Sequence, residues 1–150
     1  MRTTNQLVIF TINKQLYALY LATVERITRI VEITPLPKIP EIIIGVVNVQ
    51  GQIIPVVNTR KRLNLPERDI DLSDQLIIAK TPNRVVALVV DTVIGIIDCS
   101  IKKVIESENI LHNMEYIKGI VKLEDNMILI YDLNKFLSLE EETMIAQALE

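Results

Sequence analysis

The hydrophobic residues of this chain fall into short runs separated by polar breaks, a pattern that predicts β-strands joined by turns. The clearest case is residues 42–57, where two runs rich in β-branched residues flank the polar step Gln50-Gly51. Such residues suit a pleated surface, and a short break with glycine is typical of a β-hairpin. Pro55 has no amide proton to donate, so its strand should lie at an edge or a bulge there. Arg60, Lys61 and Arg62 should then leave the sheet and face water.

The hairpin pattern returns near the C-terminus, and a second pair of segments is related in the same order. Residues 45–63 align with 119–137 at a shift of 74, and residues 7–27 align with 76–96 at a shift of 69. We interpret these matches as a duplicated unit of about 70 residues, in which each copy is too small to bury a large core alone. Many short strands in a duplicated unit predict an all-β fold, with two small antiparallel barrels packed around a shared core.

The expected organisation is a single domain, residues 1–150, with two subdomains. Subdomain one covers about 13–72 and subdomain two about 73–137, and the first strand, 7–12, is able to cross between them. Residues 138–150 should hold a C-terminal helix, because Ser138 and Glu141 have the spacing of a capping box. The acidic residues of its first turn suit the helix dipole, which explains them without a binding site.

Composition narrows the class of protein. The chain has 150 residues, 49% of them hydrophobic, and a net charge of −3, which is too small to indicate a nucleic acid or a membrane surface as partner. No apolar run approaches the ~20 residues of a membrane span, and the polar start lacks the apolar core of a signal peptide. One cysteine, Cys99, rules out an internal disulfide framework. These features predict a cytoplasmic protein.

Few residues suggest chemistry. The single histidine, His112, lies in a polar stretch and should be solvated, with no second histidine or cysteine at metal-ligand spacing. Cys99 lies among Asp98, Ser100 and apolar residues and should be a small buried or half-buried side chain rather than a nucleophile. The four glycines are widely separated, so there is no phosphate-binding loop. The sequence therefore predicts no metal, no cofactor and no catalytic residue.

One segment resembles an enzyme motif. Asp91-Thr92-Val93 is similar to the Asp-Thr-Gly turn of aspartic proteases, whose paired aspartates share a proton. Val93 replaces the glycine of that turn, and the repeat partner of Asp91 is Ala22, so the duplication supplies no second aspartate. We expect the Asp91 carboxylate to hydrogen-bond a turn instead. A protease-like hydrolase and a barrel that binds a small ligand stay open as alternatives.

The order of motifs along nearly the whole chain, about residues 7–137, resembles the CheW family of chemotaxis coupling proteins. The hairpin motif of the family, usually N-L-R-G-x-x-x-P-V-x-D-L, occurs here as Asn48-Val49-Gln50-Gly51 followed by Pro55-Val56. The neighbouring segments that carry the likeness are YALYLATVERI (17–27), ITPLP (33–37), RVVALVVDTV (84–93) and YIKGIVKLEDNMILIYDL (116–133).

The resemblance implies a fold and a function. The fold is two five-stranded barrels around a common core. The function is that of an adaptor without enzymatic activity or cofactor, which couples the cytoplasmic signalling tips of chemoreceptors to the regulatory domain of a CheA-type histidine kinase. Such a protein works in the cytoplasm without inserting into the membrane.

The resemblance also implies two binding surfaces. The receptor-binding groove between the barrels carries over to Leu21, Val24, Arg26, Ile27, Gln50, Gly51, Val86 and Val90. The kinase-binding end of a barrel carries over to Gly45, Val46, Ile53 and Ile54. Taken one at a time, the apolar members of both sets also fit a place in the core.

The chain departs from the family pattern at the receptor surface. Gln50 replaces the usual arginine, Arg26 stands at a usually acidic place, and Asn58 replaces an aspartate. The acid–base pair of the family cannot form between Arg26 and Gln50, but a hydrogen bond can. These changes leave open which chemosensory array the protein serves, including one that governs twitching motility.

Overall fold

The computed structural model describes residues 4–100, 104–106 and 116–149. Within these ranges the chain forms eleven β-strands, two α-helices, and 3-10 turns at Leu21–Thr23 and Leu133–Lys135. The strands are β1 (Thr4–Ile12), β2 (Gln15–Tyr20), β3 (Val24–Arg29), β4 (Ile43–Val49), β5 (Gln52–Val57), β6 (Gln75–Lys80), β7 (Val85–Val90), β8 (Thr92–Ser100), β9 (Val104–Glu106), β10 (Ile117–Leu123) and β11 (Asn126–Tyr131). The helices are α1 (Thr59–Arg62) and α2 (Leu139–Ala148).

The strands form two sheets, which confirms the predicted all-β class. Sheet I has the order β3–β6–β7–β5–β4, and sheet II has the order β8–β1–β2–β11–β10–β9. Each sheet contains one parallel pair, β5 with β7 and β11 with β2, and its other pairs are antiparallel. The parallel pairs arise where one hairpin lies beside a hairpin from a distant part of the chain.

Strand registers confirm the internal duplication. In the β4–β5 hairpin Gly45 pairs with Val56, and in the β10–β11 hairpin Gly119 pairs with Ile130, each just after a shift in register. The ladders of β1 with β8 and of β3 with β6 also correspond pair by pair, including a bulge at the same place. The two copies therefore share one backbone plan, and each residue of one copy has a defined counterpart in the other.

The two copies exchange their first hairpins. The β1–β2 hairpin lies in sheet II beside the later strands of the second copy, and the β6–β7 hairpin lies in sheet I beside the later strands of the first. Sheet membership therefore differs from the subdomain boundaries expected from the sequence, about 13–72 and 73–137. Each strand still pairs with the same type of neighbour that it would have if the copies were not exchanged. The internal repeat in the sequence therefore cannot show that the exchange occurs.

Both hairpin glycines lie where a third segment crosses the sheet. A Cβ added to Gly45 would lie 2.4 Å from the carbonyl oxygen of Thr34, and one added to Gly119 would lie 2.8 Å from Cγ1 of Val104. The third segment is β9 in sheet II, whereas in sheet I Thr34 makes only an isolated bridge to Val46. This difference explains why one sheet has six strands and the other five.

Pro55 lies at a local edge, as predicted. β5 is an inner strand of sheet I, but its ladder with β7 starts only at Val56. In the second copy Leu129 replaces the proline, and its ladder with β2 includes Leu129 and the residue before it. The missing amide proton of Pro55 thus shortens the parallel ladder of the first copy.

The hydrophobic core has three parts. One cluster consists of side chains from sheet I, a second consists of side chains from sheet II, and the largest lies between the two sheets. The shared cluster contains Phe10, Tyr17 and Tyr131, whose rings stack with centroids 5.5–6.0 Å apart. The shared core is confirmed, and it is built mainly from strands that the exchange brings together.

Helix α2 begins with the predicted capping box. The Ser138 hydroxyl accepts a hydrogen bond from the Glu141 amide, and the Glu141 carboxylate accepts one from the Ser138 amide. Ile145 is buried in the shared core, which docks the helix on the sheets. Cys99 is buried, as predicted, and His112 lies outside the described residues.

Candidate functional site: the exposed surface at the β4–β5 turn

The turn between β4 and β5 is exposed to solvent. Gln50 and Gly51 both have positive φ, 50° and 85°, as a tight hairpin turn of the mirror-image type requires. The Asn48 side chain accepts a hydrogen bond from the Gly51 amide at 2.9 Å. Both residues therefore adopt the backbone conformation of such a turn, and the side chain of Gln50 faces solvent.

The turn is tied to strand β3 at the opposite edge of sheet I. The guanidinium Nη2 of Arg26 donates to Oε1 of Gln50 at 2.9 Å. This is the hydrogen bond expected where the family usually has an acid–base pair. Because this hydrogen bond is exposed and only one partner is charged, it adds little to the stability of the fold. It links β3, at one edge of sheet I, to the hairpin that contains the other edge strand, β4.

Four of the eight residues predicted for the receptor groove are exposed. Arg26, Gln50 and Gly51 are exposed, and Ile27 has 37% of its surface accessible. Leu21 and Val24 are half-buried, and Val24 packs against the shared core. We call the exposed set Arg26, Ile27, Gln50 and Gly51 the turn surface.

Two members of the predicted groove belong to the core instead. Val86 and Val90 are 0% exposed and lie in the shared cluster. They sit on β7, an inner strand of sheet I covered on both faces, so no partner can contact them in this structure. The apolar run that contains them predicts that their side chains are buried. The run alone could not show whether a partner in a groove or the protein's own core buries them.

The predicted kinase set is also mostly buried. Gly45 lies under Thr34, Val46 is 8% exposed, and Ile54 is 1% exposed. Ile53 is 50% exposed and lies opposite Asn48 on the hairpin. Alternation along β5 explains the difference, since neighbouring side chains of a strand point to opposite faces.

Asp91 holds a turn, as predicted. It lies at the bend between β7 and β8, where its carboxylate accepts a hydrogen bond from the Asn13 amide at 2.9 Å. The guanidinium groups of Arg60 and Arg68 also donate to it, at 2.9–3.0 Å and 2.8 Å. Asp91 thus connects the β1–β2 turn of sheet II to α1 and to the segment between the copies.

A second carboxylate lies close, but the pair is not protease-like. Arg68 bridges Asp91 to Asp74, with distances of 2.7 and 2.9 Å to the two oxygens of Asp74. The hydrogen bond to Asp74 raises the pKa of Arg68 above its ordinary value. The guanidinium therefore lies between the two carboxylates, whereas the aspartates of a protease pair share a proton directly.

Two of the three basic residues after the hairpin, Arg60 and Arg62, do not face water, contrary to expectation, whereas Lys61 is partly exposed as expected. Arg60 pairs with Asp91, Arg62 pairs with Glu141 of α2, and Lys61 pairs with Glu41 at 2.7 Å. The side chains of Arg60 and Arg62 are only 14% and 9% exposed. Their partners lie far away in sequence, which is why a local pattern of charge could not reveal these contacts.

Within the described ranges, no group of three or more metal-binding side chains comes together, and no helix is long and apolar enough to cross a membrane. The turn surface is therefore our candidate for a functional site. The charged residues Arg60, Arg68, Asp74 and Asp91 form ion pairs with one another.

Comparison with known proteins gives the family. Residues 6–141 match the CheW-like domain. The chain is 32% identical to the chemotaxis protein CheW of Bacillus subtilis over 142 residues, which cover 93% of this chain and 90% of that protein. It is 31% identical to chemotaxis protein CheW of Thermotoga maritima over 133 residues, covering 85% and 84%. The crystal structure of the scaffolding protein TtCheW from Thermoanaerobacter tengcongensis superposes with a TM-score of 0.83 at 28% identity, covering 91% and 94%. The chain belongs to the CheW-like domain family.

Proposed function

We propose that this protein is a non-catalytic adaptor of a chemosensory array, which couples chemoreceptor signalling tips to the regulatory domain of a CheA-type histidine kinase in the cytoplasm. Family membership and the chemotaxis names of relatives that align along most of the chain support the proposal. It needs only surfaces for partners, with no catalytic group and no cofactor.

The observation that carries the proposal is the turn surface. The Arg26–Gln50 hydrogen bond fixes an exposed polar pair, and Ile27, the residue after Arg26 on β3, is also exposed; the family resemblance puts receptor contacts at these residues. An apolar side chain beside a polar rim is the usual composition of a transient protein interface. Receptor tips should therefore bind here.

The kinase contact centres on Ile53. It is the exposed member of the predicted kinase set, and it lies two residues beyond Gly51. The receptor and kinase surfaces thus meet at the β4–β5 turn, which suits a protein that holds two partners together.

The alternatives have less support. The carboxylates of Asp74 and Asp91 are separated by the guanidinium of Arg68, so they do not form the direct pair that an aspartic protease uses. A ligand-binding barrel would need an internal cavity, but the clusters inside both sheets consist of side chains with at most 5% exposure. Packed interiors of this kind leave no room for a ligand.

The test is a pair of substitutions with symmetry-matched controls. Ile27→Asp should weaken binding to receptor tips, and Ile53→Asp should weaken binding to the kinase regulatory domain, each about tenfold or more because a charge would be buried at an apolar contact. The counterparts in the second copy, Ile96 and Met127, are 53% and 55% exposed, so Ile96→Asp and Met127→Asp are the controls.

The readout is titration calorimetry with each partner separately. Gln50→Glu and Val24→Asp extend the test, and both should weaken receptor binding more than kinase binding. Receptor binding that survives both Ile27→Asp and Gln50→Glu would refute the placement of the receptor surface. Loss of both partners with the control substitutions alone would move the function to the second copy.

A further inference from the structure

The duplication creates two equivalent grooves, one beside each crossover between the sheets. We call the first the linker groove; it is lined by Ile44, Asn58, Arg60, Asp74, Val89 and Asp91. We call the second the open groove; its residues at the corresponding positions are Lys118, Asp132, Asn134, Asn5, Tyr20 and Ala22. The same backbone plan therefore surrounds both grooves, with different side chains.

The linker groove is filled by the chain itself. Residues 64–74, which join the two copies, run along it in an extended path with several anchors. Arg60 donates to the carbonyl of Pro66 at 3.0 Å, and Asn58 donates to the carboxylate of Glu67 at 2.9 Å. Arg68 then reaches between Asp74 and Asp91. The space left is only about 30 Å³.

No described residue fills the open groove in this way. The residues that follow the second hairpin form α2 instead of an extended strand, and Glu141 and Ile145 dock that helix elsewhere. The groove keeps a volume of about 500 Å³ around Asn5, Tyr20 and Lys118. The room matches an extended segment that the described part of this chain does not supply.

The charged groups of the open groove differ from those of the linker groove. Asn134 replaces Arg60, and Asp132 replaces Asn58 and accepts a hydrogen bond from the Asn134 amide. Asn5 and Ala22 stand at the positions of Asp74 and Asp91, so both carboxylates that receive Arg68 are gone. Lys118 replaces Ile44, and its ammonium lies 4.7 Å from the ring centre of Tyr20, which holds it at the wall. At the position of Arg68 a guanidinium would therefore find neither of these two carboxylates, whereas a carboxylate would find the ammonium of Lys118.

We propose that the open groove binds an extended segment of a partner protein, laid as residues 64–74 lie in the linker groove, with an acidic side chain at the position of Arg68. Asn134 donates to the backbone of that segment, as Arg60 does to Pro66. The inference rests on the symmetry of the two copies and not on the coupling function. Only Leu21 is common to this groove and the predicted receptor set.

The chain itself supplies the probe. A synthetic peptide of residues 64–74 with Arg68 replaced by Glu is titrated into the full, 15N-labelled protein, and the unaltered peptide serves as comparison. The Glu peptide should shift the amide signals of Asn5, Thr23 and Lys118 and should bind about fivefold or more tightly than the Arg peptide. Raising the salt concentration should reduce this preference.

Two variants of the protein sharpen the result. Lys118→Glu should reverse the preference between the peptides, and Lys122→Glu, an exposed lysine on the same strand outside the groove, should leave it unchanged. Comparing two peptides on the unaltered protein keeps the test valid if Lys118→Glu disturbs folding. Equal binding of both peptides, shifts confined to the linker groove around Asp91, or no shifts with peptide at millimolar concentration would each overturn the proposal.

Discussion

The two hairpin copies share a backbone but differ in how their ends are used. After β5, helix α1 sends Arg60 to Asp91 and Arg62 to Glu141, and the following linker fills its groove. After β11, the equivalent 3-10 turn exposes Asn134 and Lys135 to solvent, and its groove stays open. The two copies thus have the same backbone plan. The segment after the first hairpin makes ion pairs within the protein, whereas Asn134 and Lys135 after the second hairpin are exposed.

The largest difference between the copies should come from their glycines. Gly45→Ala should destabilise the fold by about 3 kcal/mol, because the new methyl group meets the backbone oxygen of Thr34 at 2.4 Å. Gly119→Ala should cost only about 1 kcal/mol, because its nearest neighbour is a methyl group of the Val104 side chain that can move. Urea unfolding of both variants measures this, and equal losses would mean that the two crossings are equally rigid.

Next in size should be the loss of Arg62. Arg62→Met should cost about 2 kcal/mol, since it leaves Glu141 without its cation in a partly buried place. It also removes the hydrogen bond to the Tyr116 hydroxyl at 2.8 Å and the stacking on that ring. Lys61→Met, on the same helix but more exposed, should melt close to wild type. If the two variants melt alike, α1 does not hold α2 through this pair.

The same pair predicts a pH dependence. Burial alone would raise the pKa of Glu141, but the Ser138 amide and Arg62 outweigh it and hold the pKa below its ordinary 4.5. A depressed pKa stabilises the fold above about pH 4.5, and this contribution is lost as the pH falls through the lower folded value. Thermal melts between about pH 6 and pH 3 should show a smaller acid loss for Glu141→Gln. Parallel losses in both proteins would contradict the assigned role.

A smaller effect is expected at Asp91. Asp91→Asn should destabilise the fold by about 1 kcal/mol, because Arg60 loses its charged partner and Arg68 loses one of its two, while the amide oxygen still accepts from Asn13. The matched change in the other copy, Ala22→Asp, should move stability by no more than about 0.5 kcal/mol. Partner binding by Asp91→Asn should stay within a few-fold. Peptidase activity that this variant loses would instead support the hydrolase.

The smallest effect should come from the turn surface. Gln50→Glu places a carboxylate beside Arg26, where the hydrogen bond of 2.9 Å already exists. The resulting exposed ion pair should change stability by about 0.5 kcal/mol or less. Melting curves that coincide with wild type, together with weaker receptor binding, would separate function from folding at this site.

Local pattern in the sequence determined much of this protein. Short apolar runs separated by polar breaks predicted the strands and the β4–β5 turn, and the Ser138–Glu141 spacing predicted the start of α2. The two repeats predicted equivalent places for Gly45 and Gly119. These features depend on neighbours within a few residues, or on likeness between segments, and both can be read directly.

Only the tertiary structure decided which segments meet. It placed the β1–β2 hairpin in sheet II, buried Val86 and Val90, and joined Arg62 to Glu141 across 79 positions of sequence. It also filled one groove and left its counterpart open. The pattern of apolar and charged residues predicts which side chains will be buried or will form ion pairs. It does not predict with which distant residue each of them does so, because several residues would serve equally well. The choice among them is made by the packing of the whole chain.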